Sequence, residues 1–116
     1  MPRILIVDDS AVNRNILRNI LEKEGFDVIA EAENGETGID EYLDKSPDIV
    51  TLDISMPGIG GMEVLKHIKE HNPHTKVIML SAEGGQKEKA AEFGADEFIT
   101  KPYQISEIMN AVKNCS

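Results

Sequence analysis

The residue whose position suggests chemistry most directly is Asp53. It follows the apolar run Ile49–Leu52, and the chain then turns into a loop at Pro57 and Gly58. Such a run predicts a buried strand, so Asp53 is expected where a strand leaves the core. Burying an unpaired carboxylate costs on the order of several kcal/mol or raises its pKa instead. The pattern therefore predicts that Asp53 faces water or a partner.

Polar side chains also stand at the ends of three other predicted strands. Asp8 and Asp9 follow Ile4–Val7, Ser81 follows Val77–Leu80, and Lys101 with Pro102 follows Glu97–Thr100. All strands of an open parallel sheet end at one edge, and ligands bind there. Three carboxylates, a hydroxyl and an ammonium group are therefore expected to share one cleft.

The three carboxylates of this cleft indicate a divalent cation. Carboxylates this close together do not all stay ionised without compensation, and Lys101 offsets only one charge. Mg²⁺ is a hard cation that takes a few protein oxygens and keeps waters and phosphate oxygens. Cation, ammonium and hydroxyl together are typical of phosphoryl transfer, with a carboxylate oxygen as nucleophile. The single cysteine, Cys115, lies one residue from the end and offers no competing nucleophile.

Strands and helices alternate five times along the chain. A further strand, Asp27–Glu31, alternates in polarity and is expected at a sheet edge. The first helix is expected to present Val12, Ile16 and Ile20, with Leu17 and Leu21, on its apolar side. The other helical segments are Gly35–Lys45, Met62–Ile68, Lys87–Phe93 closed by Gly94, and Ile105–Val112. This order predicts a doubly wound α/β fold, a five-stranded parallel sheet with helices on both faces.

Composition excludes several classes of function. The 116 residues carry a net charge of −9, and so acidic a surface repels the phosphate backbone of nucleic acids. No apolar run approaches the roughly 18 residues of a membrane span, and no signal peptide is evident. A single cysteine excludes an intrachain disulfide and suits a reducing compartment. We therefore expect one cytoplasmic, monomeric domain over residues 1–116 that binds neither nucleic acid nor membrane.

Four segments carry a family resemblance. They read ILIVDDS at Ile4–Ser10, PDIVTLDISMPGIGG at Pro47–Gly61, VIMLSA at Val77–Ala82 and GADEFITKP at Gly94–Pro102. In this order and at this spacing they resemble the receiver domain of response regulators, in its stand-alone, CheY-like form. The resemblance covers the whole chain. It implies a flavodoxin-like sheet with strand order 2-1-3-4-5.

The resemblance also implies a role for each polar residue of the cleft. Asp53 would accept a phosphoryl group from the phosphohistidine of a histidine kinase. Mg²⁺ would be bound by Asp9, by Asp53 and by the backbone carbonyl of Ser55, while Asp8 would act mainly through a water on the metal. Lys101 and Ser81 would each contact a phosphoryl oxygen.

A switching device is implied as well. Phosphorylation would draw Ser81 inward and let Phe98 rotate, which changes the surface around helix 4, strand 5 and helix 5. The peptide bond between Lys101 and Pro102 is expected to be cis. One departure from the family concerns Ser81 to Lys101, a segment that is about two residues shorter than usual and that shortens the helix 4 region of the output face.

Two rival functions stay open at this stage. A haloacid-dehalogenase-like phosphatase also uses a strand-end Asp and Mg²⁺, but it places a second acid two residues later, where this chain has Ser55. A receiver-like binding module that is not phosphorylated usually lacks one of the acid, lysine or hydroxyl positions, and this chain keeps them all. The preferred prediction is a switch that turns over no external substrate.

The expected partners follow from the resemblance. A histidine kinase would be the phosphodonor, and an output protein would bind the phosphorylated form. Chemotaxis, with the flagellar motor switch as the output protein, is the leading pathway; a phosphorelay intermediate or a receiver of another pathway is the alternative. A phosphatase is a further partner that the resemblance allows.

Overall fold

The computed structural model describes residues 2–116 and contains one parallel sheet of five strands. The strands are β1 (Arg3–Val7), β2 (Asp27–Ala32), β3 (Ile49–Asp53), β4 (Lys76–Ser81) and β5 (Glu97–Thr100). The helices are α1 (Ala11–Lys23), α2 (Gly35–Lys45), α3 (Gly61–His71), α4 (Lys87–Glu92) and α5 (Ile105–Asn114). Their alternation along the chain confirms the predicted order of elements.

The strand order is β2-β1-β3-β4-β5, and all four neighbouring pairs are parallel. This confirms the doubly wound sheet and the edge position of β2. The central strands are apolar on both sides because helices cover both faces. One core contains side chains of α1 and α5, among them Leu17 and Ile108, and the other contains side chains of α2, α3 and α4, among them Tyr42 and Leu65.

The first helix turns a different side to the core from the one expected. Leu17 and Leu21 are fully buried, whereas Val12 is 68% and Ile16 is 45% exposed. At 100° per residue, Leu17 and Leu21 share a side with Arg14, and Val12 and Ile16 lie well away from it. The prediction that Val12 and Ile16 belong to the buried stripe is therefore wrong, because two apolar stripes overlap in this helix and the sheet covers only one.

The ends of the last two helices show smaller differences. Ile105 is 60% exposed, although its helical spacing with Ile108, Met109 and Val112 predicts one apolar stripe. It is the first residue of the helix, and side chains there point beyond the helix end, where no earlier turn receives them. The short α4 follows a 3₁₀ turn at Gly84–Gln86 and is closed by Gly94, whose φ of 98° suits glycine.

Thr51 in the middle of β3 gives a stability prediction. Its side chain is buried, and its hydroxyl has no hydrogen-bond partner among residues 2–116. An unsatisfied buried polar group costs about 1–3 kcal/mol, and valine has nearly the same shape without it. We expect Thr51→Val to raise the free energy of unfolding by about 1 kcal/mol in urea titrations followed by circular dichroism. Thr37→Val, at a less buried helical position, is the control, and equal changes in the two variants would contradict the prediction.

No helix among residues 2–116 combines the length and the apolar composition needed to cross a bilayer.

Candidate functional site

The ends of four strands bring the predicted polar residues to one edge of the sheet. The register pairs Val7 with Leu52, so Asp8 and Asp53 continue two neighbouring strands at the same level. Ser81 ends β4, and Lys101 follows directly after Thr100 of β5. The residues that the sequence placed in one cleft are therefore neighbours in the fold.

Three carboxylates form the centre of this site. Oxygen atoms of Asp8, Asp9 and Asp53 all lie within 4.8 Å of one another. Asp8 and Asp53 are 1% and 5% exposed, while Asp9 faces solvent. Among residues 2–116 this is the single group of histidine, cysteine or acidic side chains close enough to hold a metal ion.

Lys101 brings its ammonium group between the two buried acids. Its Nζ lies 3.5 Å from Oδ1 of Asp53 and 3.7 Å from Oδ2 of Asp8. The pKa of Asp53 is nevertheless raised, chiefly because burial desolvates the carboxylate, and the charges of Asp8 and Asp9 add to this. Lys101 and the hydrogen bond from Ser55 N–H act in the opposite direction. One lysine therefore does not compensate the negative charge of the site.

Asp8 provides a direct test of whether a cation fits. Its Oδ1 accepts a hydrogen bond of 2.8 Å from the backbone N–H of Ser10. Its Oδ2 is buried and has no hydrogen-bond partner among residues 2–116. Buried polar atoms almost always have partners, so each exception needs an explanation. An oxygen that has only the Lys101 ammonium at 3.7 Å and lies beside two other carboxylates matches the oxygen-rich coordination of Mg²⁺.

The loop after β3 is held close to Asp53 by a glycine. Ser55 N–H donates to Oδ1 of Asp53 at 3.3 Å, and Gly61 N–H donates to the carbonyl of Ile54 at 3.0 Å. A Cβ at Gly61 would lie 2.3 Å from the Asp53 carbonyl oxygen and 2.7 Å from Cα of Ile54. The sequence pattern indicates a turn at these glycines but not how closely the two backbones approach. Helix α3 can begin so near the acidic site only because its first residue has no side chain.

Ser81 and Phe98 lie on neighbouring strands. Ser81 is buried, and its hydroxyl accepts from Glu83 N–H at 2.9 Å and donates to the Glu83 carbonyl at 3.2 Å. Phe98 is half-buried and pairs in register with Met79. In this conformation the Ser81 hydroxyl is therefore engaged by the loop after β4. The Lys101–Pro102 peptide bond is cis, and Lys101 N–H donates to the Ser81 carbonyl at 2.7 Å.

An open groove lies beside Lys101, between α1 and the connection from β5 to α5. Its volume is about 490 Å³, and its lining is mostly apolar: Asn13, Ile16, Ala82, Lys101, Pro102 and Tyr103. Burial raises the pKa of Tyr103, and the nearby charge of Asp8 adds to the effect. The groove places exposed apolar surface next to the acidic site.

Two polar residues near the site were not identified from the sequence. Arg14 Nη1 donates to the backbone carbonyl of Asp8 at 2.6 Å, and its Nε donates to Glu31 at 3.2 Å. The helical period could have indicated Arg14, because it lies one turn before Leu17 on the buried side of α1. His71, the last residue of α3, forms a hydrogen bond of 2.7 Å with the Tyr42 hydroxyl.

Comparisons with known proteins agree with this geometry. The family model "Response regulator receiver domain" matches residues 4–113. The chemotaxis protein CheY of Bacillus subtilis is 46% identical over 112 residues, which cover 95% of this chain and 93% of that protein. The Thermotoga maritima response regulator TrrA, solved in complex with Mg²⁺ and BeF, is 35% identical and superposes with a TM-score of 0.92 over all of both chains.

A second solved structure contains a protein partner. It is the complex of CheX, CheY, BeF₃ and Mg²⁺ from Borrelia burgdorferi. The matched chain is 36% identical and has a TM-score of 0.91, and the match covers 95% of this chain and 85% of that one.

Proposed function

The chain belongs to the response regulator receiver domain family of two-component systems, and on this basis we propose that Asp53 is its phosphorylation site. The observation that carries the proposal is the position of Asp53, buried at a strand end, with Lys101 Nζ 3.5 Å away and two more carboxylates beside it. This carboxylate lies at the edge of the sheet where ligands of parallel sheets bind, and the Lys101 ammonium beside it can stabilise the negative charge of a phosphoryl group.

The three carboxylates fit Mg²⁺, which would be held by Asp9, by Asp53 and by the carbonyl of Ser55, with Asp8 acting mainly through a water on the metal. When bound, Mg²⁺ offsets negative charge on the phosphoryl oxygens. Lys101 contributes a second positive charge, already oriented by its two carboxylate contacts. These groups are preorganised, so little rearrangement is needed as the phosphoryl group arrives.

The reaction is a transfer between two nucleophiles. An oxygen of Asp53 forms a bond to phosphorus, while the bond from phosphorus to the histidine nitrogen of the kinase breaks and leaves its electron pair on that nitrogen. Hydrolysis of the acyl phosphate later restores the carboxylate and releases phosphate. The protein returns to its starting state and acts as a switch rather than as an enzyme with an external substrate.

The structural response would begin at Ser81. A phosphoryl oxygen near its hydroxyl competes with the Glu83 carbonyl for the hydroxyl proton, because a charged acceptor makes the stronger hydrogen bond. Moving Ser81 releases the loop that leads into α4 and makes room for Phe98. The surface formed by α4, β5 and α5 then shifts between two states, one of which binds the output protein.

Chemotaxis is the pathway that the relatives support best. The B. subtilis relative is a chemotaxis protein, as are relatives from Thermotoga maritima and Halobacterium salinarum at 41% identity. The output protein would be the flagellar motor switch, and a place in a phosphorelay is the second candidate. The Borrelia complex, which contains CheX beside CheY, supports a further protein partner for this chain. We propose that this partner is the phosphatase that the resemblance allows.

Incubation with acetyl phosphate and Mg²⁺ tests the central claim. We expect an acid-stable, base-labile adduct of one phosphoryl group, measured by intact-protein mass spectrometry and absent without Mg²⁺. No adduct, or an adduct on a residue other than Asp53, would refute the proposal. Steady turnover of a phosphomonoester would instead support the haloacid-dehalogenase-like reaction.

The apolar groove gives a prediction about the phosphodonor. Ile16 is 45% exposed beside Lys101, where a kinase carrying the phosphohistidine must approach. We expect Ile16→Ala to slow transfer from a phosphorylated histidine kinase about tenfold, because truncating one of the few anchor residues of an interface costs about 1 kcal/mol or more. Phosphorylation by acetyl phosphate should not change. Leu43→Ala is the control, since Leu43 is 47% exposed on α2 and lies away from the groove; equal effects of the two substitutions would exclude this approach.

A further inference from the structure

Arg14 connects the acidic site to the edge strand of the sheet. Its Nη1 donates to the Asp8 backbone carbonyl at 2.6 Å, and its Nε donates to Oε1 of Glu31 at 3.2 Å. The side chain is only 15% exposed. The planar guanidinium therefore bonds two different segments, the loop after β1 through Nη1 and strand β2 through Nε.

Glu31 fixes the direction of this guanidinium. It lies opposite Ile6 in the sheet, and its two oxygens bind different arginines, Oε1 that of Arg14 and Oε2 that of Arg18. Arg18 is held in turn by Glu22 at 3.1 Å. Charge-assisted hydrogen bonds shared in this way restrict the rotation of each side chain. The Nη1 of Arg14 is consequently held at the Asp8 carbonyl.

The direction of the Asp8 carbonyl determines the orientation of the peptide that leads into Asp9. The peptide unit between Asp8 and Asp9 is planar, so the direction of its carbonyl sets the plane from which Asp9 extends. The rest of Asp8 is held by other bonds, from its N–H to the Ala32 carbonyl at 3.0 Å and from Ser10 N–H to its Oδ1 at 2.8 Å. Arg14 supplies the hydrogen bond to the carbonyl, and Asp9 itself faces solvent.

We propose that Arg14 is a positioning residue for the divalent cation site, because it fixes the Asp8–Asp9 peptide so that both carboxylates point at one ion. The inference rests on the proposed function, in which Asp8, Asp9 and Asp53 hold Mg²⁺. Arg14 acts through the Asp8 carbonyl and does not touch the reacting atoms. Groups that orient metal ligands typically contribute about tenfold or more to metal affinity.

The two arginines that share Glu31 form a matched pair for a test. Arg14→Met and Arg18→Met each remove one ion pair to Glu31 and keep the aliphatic stem, but only Arg14 contacts Asp8. The dissociation constant for Mg²⁺ alone is measured by isothermal titration calorimetry, beside urea unfolding of the same samples. We expect Arg14→Met to weaken Mg²⁺ binding about tenfold, and Arg18→Met to leave it within about twofold of the wild type.

The outcomes separate this inference from the proposed function. Equal Mg²⁺ affinity in the two variants overturns the positioning role and leaves the phosphorylation site intact. A wild-type protein that binds no Mg²⁺ overturns both. If Arg14→Met does not fold, Arg14→Lys replaces it. A lysine keeps the positive charge but cannot donate to the Asp8 carbonyl and to Glu31 from the two ends of one planar group, so weaker Mg²⁺ binding is again expected. Mg²⁺ affinity equal to that of the wild type would overturn the positioning role.

Discussion

Asp53→Asn is expected to abolish phosphorylation and, in the absence of Mg²⁺, to make the protein more stable. The acyl phosphate forms on a carboxylate oxygen, and an amide is not a nucleophile of comparable strength. The gain in stability has a separate cause. Asp53 is buried beside two like charges, and one ammonium group does not compensate them. We expect the free energy of unfolding to rise by about 1–3 kcal/mol, because the neutral amide avoids the cost of burying a charge beside like charges.

The pH dependence follows from the raised pKa of Asp53. A carboxyl whose pKa is higher in the folded than in the unfolded protein binds its proton more tightly when folded. The contribution of this group to stability is therefore greatest below its unfolded pKa and is lost as the pH rises through the folded pKa. Above that pH the ionised carboxylate destabilises the metal-free protein. Urea titrations between mildly acidic and neutral pH should show this decline in the wild type and a smaller decline in Asp53→Asn.

Two comparisons check this explanation. Asp44→Asn removes a charge that is 75% exposed on α2, and it should change stability by less than about 0.5 kcal/mol. Adding Mg²⁺ should stabilise the wild type in proportion to the logarithm of its concentration and should reduce or reverse the advantage of Asp53→Asn. If Asp53→Asn is less stable than the wild type without Mg²⁺, burial of the Asp53 carboxylate does not destabilise the protein.

Gly61→Ala is expected to be the most destabilising single substitution near the site. The new methyl group would stand 2.3 Å from the Asp53 carbonyl oxygen and 2.7 Å from Cα of Ile54. Both atoms belong to the backbone, so no side chain can rotate away. The start of α3 would have to move from the end of β3. Overpacking against a rigid backbone is at the upper end of such costs, about 3 kcal/mol or more, and it should lower Tm by more than about 10 °C.

The neighbouring glycine is the control. A Cβ at Gly60 would lie 3.7 Å from the Ile54 carbonyl oxygen, which is ordinary van der Waals contact, and the φ of Gly60 is −75°. Gly60→Ala should therefore cost less than about 1 kcal/mol, a value that includes its weaker capping of α3. Phosphorylation by acetyl phosphate should also fall in Gly61→Ala, because the strand end that carries Asp53 shifts. Equal stability of the two alanine variants would show that α3 does not need the close approach.

Much of the site could be derived from the sequence because its signals are local. An apolar run followed by a single acid predicts a strand and its end, and the parallel topology then brings these ends to one edge. This reasoning placed Asp8, Asp53, Ser81 and Lys101 together, and the resemblance assigned their roles. The strands themselves were located to within about a residue, since period and turn residues mark them directly.

Other features depend on packing between distant segments and leave no periodic signal. The sequence could not decide which apolar stripe of α1 faces the sheet, because Val12 and Leu17 are equally apolar and only the fit to the strands distinguishes them. The link from Arg14 to Glu31 spans 17 residues. That Oδ2 of Asp8 lacks a hydrogen-bond partner becomes evident only in the folded structure, where all its neighbours are placed. Local periodicity therefore determined the fold and the identity of the acids, whereas the tertiary structure decided how those acids are held and how far their charge is compensated.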